Sequence, residues 1–142
     1  MLIDPRGPRF SAALTTAVLA AALVTRSGWI LAAQTVVFAI GALAGVQHTP
    51  YAWLFRHFVR PRLGPPGELE DPAPPRFSQS VGLGFGVVGL IGAVAGAGPV
   101  FLAATGMALA AAFLNAAFGY CLGCEMYLII RRILPKQEEI PA

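Results

Sequence analysis

Asp4-Pro5-Arg6-Gly7-Pro8-Arg9-Phe10-Ser11, DPRGPRFS, returns as Asp71-Pro72-Ala73-Pro74-Pro75-Arg76-Phe77-Ser78, DPAPPRFS, 67 positions later with six of eight residues kept. Each copy heads the same succession: an apolar run, a short glycine-containing break, a second apolar run and an arginine-bearing end. Self-similarity on this scale reads as tandem duplication of one supersecondary unit, here a helical hairpin. Repeat 1 covers about 4–63 and repeat 2 about 71–134, with a proline-rich charged linker over about 60–76. Arg6 and Arg9 ahead of a short apolar run resemble a signal peptide. The return of the pattern in mid-chain argues for structure instead.

The environment of those hairpins follows from composition. Apolar residues make up 56% of the 142, charged residues only 12%, and the mean hydropathy is +0.68. Soluble domains carry roughly twice that charged fraction, about 25%. The apolar runs are Phe10–Thr25, Trp29–Gln47, Phe77–Ala95 and Val100–Phe118. Each approaches the ~20 residues that cross a hydrocarbon core. In lipid the backbone must satisfy its own hydrogen bonds, which selects helices. The expected fold is therefore all-α and integral to a membrane, a single domain over 1–142. It has four transmembrane helices as two tandem hairpins in a parallel repeat.

Both copies overrun their second helix. Pro50 breaks the first overrun and Gly119–Gly123 the second, so each hairpin is expected to end in a short interfacial helix. The N-terminus, the linker and the C-terminus hold Arg6, Arg9, Arg56, Arg60, Arg62, Arg76, Arg131, Arg132 and Lys136, whereas the hairpin tips hold only Arg26. The positive-inside rule puts both termini, the linker and both interfacial helices in the cytoplasm, with the chain multi-pass in an inner membrane. A net charge of +3, without aromatic-basic interleaving, is no nucleic-acid footprint.

Both cysteines lie in the second overrun, as Cys121-Leu122-Gly123-Cys124. If a helix starts here, its N-terminus favours a Cys121 thiolate. One sulfur can then attack a substrate and the other resolve it. The plainer alternative is two small packing residues. Glu125 follows as a proton relay for the resolving thiol or as an ordinary first-turn acid. His48 and Arg76 are candidates for substrate or partner contact, Arg76 toward an anion or Glu125 and His48 as a base near the dithiol. His48 and His57 lie nine apart across a break, unlike the tight local pairs of zinc sites, so no metal is expected. Gly84-Phe85-Gly86-Val87-Val88-Gly89 matches a dinucleotide fingerprint, but it sits inside a span with no following acid before Glu125. Gly82/Gly86, Gly92/Gly96 and Gly41/Gly45 read better as close packing faces. Gln34 and Asn115 read as interhelical hydrogen-bonding residues.

The DPRGPRF heading, the PRFSQSVG of the second copy and above all FGYCLGCEMYL resemble a family of small bacterial membrane proteins carrying a domain of unknown function. The likeness covers nearly the whole chain, and it carries over only Cys121 and Cys124, as motif positions. What the resemblance implies is thiol or sulfane-sulfur traffic, with a thioredoxin-like or sulfurtransferase protein as cytoplasmic partner and the lipid bilayer as surroundings. No cofactor is called for by the residues themselves. A quinone is the alternative, because other four-helix membrane oxidoreductases pass dithiol electrons to one. A non-enzymatic membrane subunit or scaffold is the third reading.

Overall fold

The computed structural model describes residues 2–134, so Lys136 and the rest of the polar tail lie outside the described residues. Helix α1 is Arg6–Thr25 and α2 is Gly28–Leu43. After them come a 3-10 turn, Val46–His48, and a bent surface helix. That helix comprises α3 (Pro50–Leu54), a π-helical turn (Phe55–Val59) and α4 (Arg60–Leu63). The second half contains α5 (Ala73–Val94), α6 (Gly98–Phe118) and α7 (Leu122–Ile133). Among the described residues the one β-type pairing is an isolated bridge between Ile3 and Glu70, which ties the N-terminus to the linker.

Local chemistry sets the ends of these helices. Asp4 Oδ1 accepts the Arg6 amide at 3.0 Å, and Asp71 Oδ1 accepts the Ala73 amide at 2.9 Å. Each aspartate thus satisfies an orphan donor in the first turn that follows it. Helix α1 stops where Arg26 turns left-handed (φ 54°), and Ser27 caps α2 by accepting the Ile30 amide at 3.2 Å. Helix α2 ends at Leu43, not at Gln47 as its apolar run leads one to expect. Gly45 takes φ 119°, a conformation only glycine adopts cheaply, and the Ala44 and Gly45 amides both fold back on the Ile40 carbonyl. In the surface helix Pro61 has no N–H to give, and the turn ahead of it widens so that the Arg60 amide reaches Phe55.

The four long helices form a ring in the order α1, α2, α5, α6 and back to α1. Neighbours are antiparallel. Within a half the tight tips require it, and between halves two arginines show it. Arg9, in the first turn of α1, donates from Nε and Nη2 to the Ala116 and Ala117 carbonyls at the end of α6 (3.2 and 3.3 Å). Arg76, its counterpart on α5, donates in the same way to Ala42 and Leu43 at the end of α2 (both 2.8 Å). Each guanidinium sits where orphan carbonyls concentrate partial negative charge. Phe10 lies 5.8 Å from Phe55 at 47°, and Phe77 lies 5.7 Å from Tyr127 at 48°. Arg9→Ala and Arg76→Ala are each expected to cost about 1 kcal/mol of stability. Because the two contacts share no residue, the double variant should lose the sum to within about 0.5 kcal/mol in thermal unfolding.

The α2–α5 seam is close. A Cβ on Gly82 would fall 2.7 Å from the Phe38 ring, one on Gly86 would collide with Thr35, and one on Gly89 would meet Leu31 at 2.8 Å. Gly45 and Gly96, by contrast, serve as positive-φ helix stops rather than packing faces. The buried cluster Leu19, Ala22, Leu31, Phe38, Phe101 and Ala108 fills the ring toward the hairpin tips. Outward faces stay apolar and exposed, as at Val36, Val87, Ile91 and Phe113. Helices α1, α5 and α6, with 20, 22 and 21 residues, are long and apolar enough to cross a membrane, whereas α2 is apolar but has 16.

A cavity walled by the cysteine pair

Opposite the packed tips the ring is hollow. A cavity of about 700 Å³ opens where α1 and α5 begin and α2 and α6 end. Pro8 and Pro75 stand at its rim, and Thr15, Phe38, Gly82 and Ala108 lie deeper. From Pro8 to Thr15 the helix climbs about 10 Å. The hollow exists because the elements around it end early or carry small side chains there, notably Gly7, Ala12, Gly82, Ala111 and Ala112.

Cys121 and Cys124 form part of the wall, and their sulfurs are bonded to each other, with the Cα atoms 5.1 Å apart. Gly119 ends α6 in a left-handed conformation (φ 70°), and Cys121 then caps α7, its sulfur accepting the Cys124 amide at 3.1 Å. Gly123 is buried because α7 presses there on Ser78 of α5. An added Cβ would lie 2.5–2.7 Å from the Oγ, Cβ and Cα of that serine. This contact holds the pair in the wall.

Across the ring Thr49 occupies the equivalent place. It caps α3 by accepting the Ala52 amide at 3.2 Å, as Cys121 caps α7. Two residues beyond Thr49, half-buried Tyr51 donates its hydroxyl to Gln34 Oε1 at 2.6 Å, and Gln34 Nε2 donates to Thr15 Oγ1 at 3.4 Å. Burial pushes the Tyr51 phenol above its usual pKa, so it remains a donor. Gln34 and Thr15 are 1% and 5% exposed. At the rim Asp4 is paired with Arg6 at 2.8 Å and with Arg60 at 3.8 Å. The Arg6 hydrogen bond, above all, holds the Asp4 carboxyl below its usual pKa.

With this geometry in place, the chain can be set beside known proteins. The family described as Domain of unknown function (DUF4395) matches residues 3–132, nearly the full length. The chain belongs to that family. No curated protein and no solved structure matches it.

The DUF4395 fold brings together some of the residues singled out in the sequence and separates others. Cys121, Cys124, His48 and Asn115 all line the cavity. Glu125 is exposed on the first turn of α7, outside the wall. Arg76 places its Nε and Nη2 donors on the last carbonyls of α2. Gln34 forms the interhelical hydrogen bonds expected of it, while His57 stacks on Trp53 at 4.5 Å. Among the described residues no three of His, Cys, Asp and Glu gather as metal ligands. Thr15, Thr49, Tyr51 and Gln79 were not singled out by sequence. Of these, Gln79 had a signal, being the polar residue that follows the repeated PRFS heading, and in the structure it covers Gly41 from the cavity wall.

Proposed function

We propose that this protein is a four-span membrane component that exchanges thiols and disulfides, or sulfane sulfur, through Cys121 and Cys124. The observation that carries the reading is the bonded pair in the wall of an open cavity of about 700 Å³. A packing pair has no need of access to such a space. Membrane insertion is supported by the apolar exposed faces of the ring and by the three long apolar helices. Helix α2 covers about 24 Å, and slight bilayer thinning accommodates it at modest cost. The repeated contacts of Arg9 and Arg76, and of Phe10 and Phe77, support duplication of one hairpin. The arginine-rich end, where the cavity opens, is assigned to the cytoplasm by the positive-inside rule.

The exchange proceeds as follows. In the bonded pair the Cys121 sulfur lies at the N-terminus of α7 and accepts from the Cys124 amide, and on reduction that amide and the helix dipole favour the thiolate. That thiolate attacks one sulfur of a disulfide in a cytoplasmic partner. A mixed disulfide forms, and the other partner sulfur leaves and takes a proton. Cys124 then attacks the Cys121 sulfur, forming the intrachain bond and releasing the second partner thiol. Two electrons pass to the partner, and the sequence runs in reverse when the partner is the reductant. A thioredoxin-like protein has the required disulfide. A sulfurtransferase persulfide instead passes its outer sulfur to Cys121 and leaves as the partner thiol, and Cys124 then closes the pair and expels that sulfur as hydrosulfide.

Differential alkylation of the purified full chain, read by mass spectrometry, checks this reading. The pair should be unlabelled before reduction and doubly labelled after it, with Cys121 reacting faster near neutral pH. Equal labelling of both cysteines under every condition would show two inert thiols.

A further inference from the structure

The cavity holds more than the disulfide. Its deepest polar group is Thr15, which is 5% exposed and is the last member of a chain of donors running Tyr51 to Gln34 to Thr15. The Thr15 oxygen accepts from Gln34, so its own hydroxyl proton is available to an acceptor inside the cavity. Donor chains of this kind polarise along their length, which strengthens the final bond. Around Thr15 the lining is apolar, with Val37, Phe38, Phe85 and Met107. By the repeat, Thr15 matches Gly82 of α5, one helical turn or about 6 Å deeper than Ser78. Ser78 is where the Cys121–Cys124 loop rests, through Gly123.

A ligand suited to these features has an apolar body, a carbonyl oxygen for Thr15 and the ability to take or give two electrons beside a dithiol. We infer that the cavity binds a lipid-soluble quinone, anchored at a carbonyl oxygen by Thr15 and exchanging electrons with the Cys121–Cys124 pair. This rests on the thiol-exchange reading above and supplies its other half. The two S–H bonds of the reduced pair break and one S–S bond forms. The two electrons and two protons released convert the quinone carbonyls to the hydroxyls of the quinol. The opposite direction reduces the disulfide at the expense of quinol. The cycle then links a soluble partner at the rim to a redox carrier that the bilayer supplies.

The test uses the full chain in detergent, pre-reduced, desalted and held without oxygen, with decylubiquinone as probe and no other thiol present. One quinol per chain is expected to form as the pair closes. Thr15→Val, which keeps the shape and removes the donor, and Tyr51→Phe, which unties Gln34, should each slow the reaction about tenfold. A parallel sample receives diamide, a small water-soluble oxidant. Closure of the wild-type pair by diamide but not by decylubiquinone would overturn the quinone site and leave thiol exchange standing. If neither reagent closes the pair, both readings fall. Equal rates for wild type, Thr15→Val and Tyr51→Phe with decylubiquinone would remove Thr15 as the anchor.

Discussion

Cys124→Ser should arrest the protein as a mixed disulfide through Cys121 whenever a partner disulfide is offered, and Cys121→Ser should arrest nothing. The asymmetry follows from where the two sulfurs sit. Cys121 caps α7 and lies in the cavity wall, with the Cys124 amide donating to its sulfur at 3.1 Å. Cys124 is a helical turn further in and can reach the Cys121 sulfur at once, because the Cα atoms are 5.1 Å apart. In the wild-type chain this proximity resolves the intermediate before it accumulates. Without Cys124, resolution needs a second thiol from solution, and turnover should fall at least on the order of a hundredfold. Non-reducing electrophoresis of solubilised membranes reads the result, as a band shifted by the partner's mass in Cys124→Ser alone. The same band appearing equally in both single variants would contradict the assigned order of attack.

The second large effect is steric. Gly123→Leu should lift α7 from α5, because even a Cβ would fall 2.7 Å from the Ser78 Cα, a backbone atom with nowhere to go. Overpacking at a fixed contact costs about 1–3 kcal/mol. Here it also breaks the ring contact of Phe77 with Tyr127 and removes the cysteine pair from the cavity wall. Limited proteolysis should then cut within 122–133, and after reduction the pair should react faster with bulky alkylating agents than it does in the reduced wild-type chain. Gly123→Ala is the graded version. Ser78→Gly should partly rescue it, because two of the three clashing atoms belong to the serine side chain. An unaltered proteolysis pattern in Gly123→Leu would mean that α7 is not held at this point.

Part of the scaffold is legible in the sequence because its DPxxPRFS heading occurs twice. The DPxxPRFS headings mark the starts of α1 and α5, and the glycines and Pro50 mark the breaks that release the surface helices. Charge patterning separates the arginine-rich end from the tips. What is not legible arises between halves. In the sequence Arg9 counts only toward the basic end and Arg76 reads as a substrate or partner contact, yet each caps a helix of the opposite half, a contact 107 and 34 residues away respectively. The early stop of α2 depends on the φ of one glycine, Gly45, inside a continuous apolar run. Thr49 proves to be the counterpart of Cys121, each capping the surface helix that follows it, and the equivalence is hidden because one cap is a hydroxyl and the other a sulfur. The Thr15–Gln34–Tyr51 chain joins three elements, so no single helix advertises it.

The sidedness of the cysteine pair and its redox chemistry are tested together by one measurement. Right-side-out and inside-out membrane vesicles, each with and without prior mild reduction, are treated with a membrane-impermeant maleimide. Labels on Cys121 and Cys124 are then located by mass spectrometry. The account predicts labelling of the pair only in inside-out vesicles and only after reduction. Labelling from the outer face, or equal labelling with and without reduction, would contradict it.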